Sequence, residues 1–133
     1  SFDAATIIWT LENCQSASGV LKAAADLLPD GGHVATATGS RILVPFKKPL
    51  QYYLGANSDV HPFHFTANSL AGLYAGAGFE VTNVNRFIDS DYLVVVGRKT
   101  TKRPISWQKD DWRDVAQFFD RWDADTQAHF KGK

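Results

Sequence analysis

The stretch His61-Pro-Phe-His-Phe-Thr-Ala-Asn-Ser-Leu70, running on to Ala77-Gly-Phe-Glu80, decides the fold. Thr66 is a good N-cap, and Leu70, Leu73 and Tyr74 fall on one face of the helix it would start. Gly78 supplies the left-handed stop, so the spacing predicts a helix from Thr66 through Ala77. Glu80 to Ile88 and Tyr92 to Arg98 then read as strands joined by Asp89-Ser90-Asp91. That turn is too short for anything but an antiparallel hairpin. The apolar run Tyr92, Leu93, Val94, Val95, Val96 marks its second strand as central.

Upstream, Phe2 to Thr10 is a near-continuous apolar run, as for a strand buried on both faces. Ser16 or Ser18 can cap a helix whose Val20, Leu21, Ala24, Leu27 and Leu28 recur at helical spacing. Pro29-Asp-Gly-Gly32 ends it, and His33 to Thr38 is a short β-branched strand. Strand, helix and strand in this order form a βαβ unit with a right-handed crossover. The loop from Gly39 to Phe65 is long, punctuated by Pro45, Pro49, Gly55 and Pro62, and filled with Phe46, Tyr52, Tyr53 and Phe63. Its aromatic content argues for an ordered functional loop, with a short helix near 49–54. Past Pro104, a last amphipathic helix over about Asp110–Phe130 carries Trp112, Val115, Ala116, Phe119 and Trp122 as one stripe, expected to pack on the sheet. Asp110 and Asp111 suit its N-terminus. The fold class is therefore α/β, divided into a main unit over 1–103 and a helical extension over 104–133.

The chain's 133 residues suffice for one core, and its 44% apolar and 21% charged content is that of an ordinary globular domain. Formal net charge is zero, which leaves no global electrostatic case for nucleic acid or an anionic membrane. Residues 1–95 carry 5 Lys/Arg against 8 Asp/Glu, and residues 96–133 carry 9 against 6. The basic excess at Arg98, Lys99, Lys102 and Arg103 reads as a solvated exit segment. The single Cys14 excludes an intrachain disulfide framework and a cysteine-cluster zinc site. No run approaches the roughly 20 apolar residues of a bilayer span, and no signal peptide opens the chain. Cytoplasmic location is the default. The absence of Met and the opening at Ser1-Phe-Asp suggest a piece trimmed from a longer chain.

Four motifs in order carry a resemblance. Phe2-Asp3-Ala4 opens a strand as "FD-x-[IV]" does; Leu11-Glu12-Asn13 sits where "LEH" is common. Leu27-Leu28-Pro29-Asp30-Gly31-Gly32 is similar to "LLxPGG", with Asp30 inserted. Phe65-Thr66 to Leu70, then Ala77-Gly78-Phe79-Glu80, match "F-[ST]-x-x-x-L…[AG]-GF-x". With the antiparallel hairpin, residues 2–98 resemble the C-terminal half of class I S-adenosylmethionine-dependent methyltransferases of the small-molecule type. The resemblance implies S-adenosylmethionine as cofactor and a small-molecule acceptor. It implies that Trp9, Thr10, Leu11, Glu12 and Asn13 line the cofactor's methionine side. Arg41, Tyr52, Tyr53 and His64, on or beside the covering loop, would contact the acceptor. The family's first strand and glycine-rich turn have no counterpart, since Gly72, Gly76 and Gly78 do not follow a strand. The cofactor-binding half is thus expected to be missing, and cofactor binding by this chain alone to be no tighter than millimolar. In the family's sheet order the first strand here would expose an unpaired apolar edge, so a homo-oligomer through that strand is expected. A non-catalytic, self-associating interaction domain is the alternative function.

Among candidate chemical groups, His61 suits a general base, because imidazole titrates near its working pH. It could equally hydrogen-bond its own loop. His-x-x-His with no third ligand nearby is a weak metal signal, and no metal site is expected. His64, directly before the helix, reads first as packing. Glu12 is balanced between orienting an acceptor and being a solvated residue after the strand. Tyr52 and Tyr53 shape a pocket or pack; Asp89 and Asp91 are turn residues.

Overall fold

The computed structural model describes residues 2–39, 41–43, 50, 61–86, 88–90 and 92–131, excepting the side chain of Phe130. The short helix expected near 49–54, with Tyr52 and Tyr53, lies outside the described residues. The elements are β1 (Ala4–Ile8), α1 (Ala17–Leu27), β2 (His33–Thr38), α2 (Ala67–Ala77), β3 (Phe79–Val84), β4 (Leu93–Lys99) and α3 (Trp112–Lys131). They form a mixed sheet in the order β1-β2-β4-β3. β1 and β2 are parallel, from Ala4 opposite His33 to Ile8 opposite Ala37. β4 lies between β2 and β3, antiparallel to both. The βαβ unit, the following helix and the terminal antiparallel hairpin are as expected.

Local chemistry accounts for the helix ends. Ser16 rather than Ser18 caps α1, its Oγ accepting from the Gly19 N–H at 3.0 Å. At the other end the Lys99 ammonium donates to the Ala25 and Leu28 carbonyls, each at 2.7 Å. It thereby satisfies acceptors that the last turn leaves open. α2 begins with a reciprocal box in which Thr66 and Ser69 bond each other's backbone amides, and it ends at Gly78 with φ of +97°. Both ends stand where the sequence puts them.

The core lies between the sheet and the α1–α2 pair, built from Leu21, Val34, Leu70, Tyr74, Phe79, Leu93 and Val95. Tyr74 is fully buried, and its hydroxyl donates to the Val95 carbonyl at 2.9 Å and meets Thr36 Oγ1 at 3.0 Å. Burial pushes its pKa up to about 12. The ring can approach the sheet because β4 carries Gly97 beneath it. A Cβ there would stand 2.5 Å from Tyr74 Cδ1.

Three expectations need correction. β1 is shorter than residues 2–10 and is not buried on both faces: Ile7 is buried, whereas Ala4, Thr6 and Ile8 are exposed. It ends because Trp9 takes a φ of +53°, which no strand can propagate. β3 stops at Val84 rather than Ile88. A register shift between Val81 and Asn83 breaks the ladder, and Asn85 takes over beyond it. The Asn85 N–H donates to the Val94 carbonyl at 3.0 Å, and its side-chain oxygen accepts from the Val94 N–H at 2.7 Å. The hairpin connection is therefore longer than the expected three-residue turn.

The third correction concerns α3, whose described residues contribute nothing to the core cluster. The rings of Phe118, Phe119 and Trp122 meet one another, with centroids 5.6–6.4 Å apart, and Trp122 is buried. The cause lies in the preceding segment, which runs back along α2 as a strap. The Arg103 guanidinium sits against Gly78, and the Trp107 indole against Gly72. Asp110 accepts from the Thr66 hydroxyl and from the Asn68 amide at the start of α2. Asp110 thus serves α2 rather than its own helix, and α3 begins past the end of the core.

Candidate functional site

Ligands of open α/β sheets gather beyond the carboxyl ends of the parallel strands. In this chain that place lies after Ile8 and Thr38. Past Ile8 the backbone folds into a tight turn. The Trp9 N–H still donates to the Ala37 carbonyl at 2.9 Å, then the Asn13 N–H closes onto the Thr10 carbonyl at 3.0 Å. Thr10 Oγ1 donates to the Ile8 carbonyl and the Asn13 side-chain amide to the Trp9 carbonyl. The turn drives Leu11 into the core and, with it, Glu12, each only 1% exposed.

The burial of Glu12 is the most unusual feature of this region. Its Oε1 receives one long contact, from the Gly39 N–H at 3.5 Å. Among the described residues its Oε2 has no hydrogen-bond partner. Buried polar atoms are rarely left open, because each costs desolvation that nothing offsets. Beside it, the exposed Trp9 ring covers Gly39, whose Cβ, were it present, would lie 2.6 Å from Trp9 Cζ3. The edge of this indole meets Tyr92 with centroids 4.6 Å apart. The result is an aromatic wall over a buried carboxylate, at the mouth of the parallel pair.

The segment before α2 closes the other side. The Phe63 N–H donates to the Glu12 carbonyl at 3.4 Å, and the Ile42 N–H to the Phe65 carbonyl at 2.8 Å. This brings His61 and His64, both half-buried, to the same end of the sheet. Burial, and then the nearby charge of His61, hold the His64 imidazole below its usual pKa. Arg41 is buried, and its guanidinium bonds the side chain and backbone of Asn85 and the backbone of Tyr92 at 3.2–3.3 Å. It braces the hairpin connection behind Tyr92.

Trp9, Glu12, His61 and His64 are thus gathered at one end; Leu11 is a core residue, while Asn13 and Thr10 hold the turn. Tyr52 and Tyr53 lie outside the described residues. Sequence reasoning overlooked Gly39, Asn85 and Tyr92. The one visible signal was a glycine directly after a β-branched strand. Among the described residues no three His, Cys, Asp or Glu side chains come together to hold a metal ion. Nor is any helix long and apolar enough to cross a membrane.

No family model and no curated protein matches the chain. Solved structures do match. TnmH superposes with a TM-score of 0.59 at 17% identity, over 75% of this chain and 31% of its own. CalO1, a methyltransferase of calicheamicin biosynthesis with SAH bound, matches with a TM-score of 0.56 at 19% identity, over 74% and 30%. A Haloferax volcanii complex of the Trm112 methyltransferase activator with a putative methyltransferase matches with a TM-score of 0.57 at 12% identity, over 74% and 54%. The chain therefore spans between about a third and a half of these proteins' lengths. At such identities the likeness shows the fold alone: that of class I S-adenosylmethionine-dependent methyltransferases, over about three-quarters of this chain.

Proposed function

From the class I methyltransferase fold as premise, we propose that this chain forms the acceptor-side half of an S-adenosylmethionine-dependent methyltransferase acting on a small molecule. The observation that carries the reading is Glu12, a buried carboxylate whose Oε2 has no partner among the described residues, where ligands of such sheets collect. A sulfonium cofactor fits this donor set, because a carboxylate and the exposed face of Trp9 both favour a cation. When bound, S-adenosylmethionine supplies a methyl group already activated for transfer. The residues of the chain then position and deprotonate. Trp9 to Asn13 flank the methionine end, with Glu12 as its polar anchor. His61 takes the proton from the acceptor hydroxyl or amine as it is methylated. His64, with Tyr52 and Tyr53, contacts the acceptor, while Arg41 holds the Asn85–Tyr92 connection that backs the aromatic wall. The remaining cofactor contacts, including a glycine-rich turn, come from polypeptide outside these 133 residues. Residues 1–103 carry the site, 104–133 form its helical extension, and the enzyme works in the cytoplasm.

The test is transfer of a radiolabelled methyl group from S-adenosylmethionine to a panel of small hydroxyl and amine acceptors. The polypeptide as its gene encodes it should incorporate label, and Glu12→Met should abolish incorporation. The 133-residue chain alone should bind S-adenosylhomocysteine no tighter than millimolar in calorimetry. No incorporation and no cofactor binding by the encoded polypeptide would overturn the proposal.

A second reading, a self-associating interaction domain, is favoured by β1. That strand pairs only on the β2 side among the described residues, and Phe2 and Ile8 are exposed beside it. Multi-angle light scattering at high concentration should then show a dimer through β1. A monodisperse monomer refutes it.

A further inference from the structure

A second feature of the acceptor end is a cleft of about 370 Å³ between the first turns of α1 and α2. Its walls are the rings of Phe63 and Phe65 with the side chain of Leu73; His64, Gln15 and Ser18 stand at its margin. The two rings are stacked, with centroids 6.1 Å apart and planes inclined by 25°; Phe65 is buried and Phe63 half-buried, so the Phe63 ring is the one open to a ligand. Among the described residues no Asp, Glu, Lys or Arg lines the cleft.

We propose that this cleft binds a neutral, planar aryl compound of one or two fused rings carrying a hydroxyl group, and that, granted the methyltransferase reading, it is where the acceptor sits. Size sets the first limit. The volume is at the small end of the range for ligand pockets, about 300–1,000 Å³. Charge sets the second. Among the described residues an ionised ligand leaving water here would meet no opposite charge, and an unpaired buried ion is disfavoured. The start of α2, which would attract an anion, is already occupied by the Asp110 carboxylate on Thr66 and Asn68. Shape sets the third, because the half-buried Phe63 ring takes another ring in an offset stack.

The polar margin selects the substituent. The Ser18 hydroxyl shares a single contact, with Ser16 Oγ at 3.3 Å. A hydroxyl has one donor and two acceptor positions, so it can still bond a ligand hydroxyl. Position links the cleft to the site already described: Phe63, one of its walls, donates its N–H to the Glu12 carbonyl. A ring lying on Phe63 therefore stands at the same end of the sheet as the buried carboxylate.

The experiment is a titration of the isotopically labelled 133-residue chain with 2-naphthol, followed by chemical-shift changes. A dissociation constant on the order of 1 mM is expected, as for any ligand of this size, with the largest shifts at Phe63, Phe65 and Leu73. Leu73→Trp, which fills the cleft, should weaken binding at least tenfold. Ser18→Phe, at an exposed position on the rim, should do the same without touching the core. The saturated analogue decahydro-2-naphthol should bind at least fivefold more weakly, and 2-naphthoate should bind no better than 2-naphthol. Shifts centred elsewhere, no effect of Ser18→Phe, or tighter binding of 2-naphthoate would each overturn the proposal. The titration needs no cofactor. If 2-naphthol binds as described but the encoded polypeptide neither transfers a methyl group nor binds cofactor, the aryl site stands and the methyltransferase reading falls. If methyl transfer occurs while 2-naphthol leaves the cleft unshifted, the cleft proposal falls alone.

Discussion

Replacing Glu12 by Met tests whether this carboxylate serves a ligand or the fold. The two side chains are similar in length, so the substitution keeps the packing around residue 12 nearly unchanged. In the folded chain Glu12 is 1% exposed, and among the described residues Oε2 has no partner and Oε1 has one contact at 3.5 Å. Burying a polar oxygen without a partner costs about 1–3 kcal/mol, and the weak Gly39 contact returns about 0.5–1 kcal/mol. Glu12→Met removes both terms, so the variant should be more stable than the parent by about 1–2 kcal/mol. Urea unfolding followed by tryptophan fluorescence will read this as a midpoint raised by roughly 0.5–1 M at unchanged slope. A site held at a cost in stability is what a binding or catalytic role produces. The opposite outcome, a variant less stable by 1 kcal/mol or more, would mean that the carboxylate anchors Gly39 structurally, and the functional argument built on it would fail.

Gly97→Ala should cost about 2–4 kcal/mol, because its Cβ would stand 2.5 Å from Tyr74 Cδ1 and 3.2 Å from Phe79 Cβ. Tyr74→Leu in the same chain should recover part of that loss in a double-mutant cycle, and purely additive effects would contradict the packing account. His64 has a folded-state pKa below its ordinary value, so the unfolded chain binds more protons between the two. Its contribution to stability is fully present above the ordinary pKa of about 6.5 and is lost as pH falls toward the folded value. Unfolding midpoints at pH 7.5 and 5.5 should differ less in His64→Gln than in the parent. Asp110→Ala should cost about 1–3 kcal/mol through its two bonds to α2. Hydrogen exchange should quicken at Asn68 and Ser69 and stay unchanged near Gly78, whereas uniform acceleration would argue against a local latch.

The local elements were legible because their signals are local. Thr66 bonds Ser69 three residues on, Gly78 needs only its own missing Cβ, and the β2 bounds of His33 and Thr38 follow from a β-branched run between glycines. Only the edge position of β1 was legible, through the motif resemblance; the pairing of β2 with β4 joins residues far apart in the chain and was not. Within the site, Trp9 and Glu12 could be singled out but not characterised. Hydropathy reads Trp9 as the end of a strand, and nothing local shows its positive φ or its seat on Gly39. Asp110 was assigned to its own helix because sequence proximity favours that, while its actual partners are Thr66 and Asn68.

By itself, the amino-acid sequence determined which segments are helix and strand, where α2 starts and stops, and that the last two strands run antiparallel. These follow from capping, periodicity and turn length, which act over a few residues. Only the tertiary structure decided that Glu12 is buried with an oxygen that has no partner among the described residues, and that Arg41 braces Asn85. It alone showed that Phe63 and Phe65 form one wall of a cleft, and that the strap carries α3 past the core. Burial and partnership depend on what distant segments bring to the same place, and a carboxylate's neighbours twenty or more residues away leave no mark on the residues beside it.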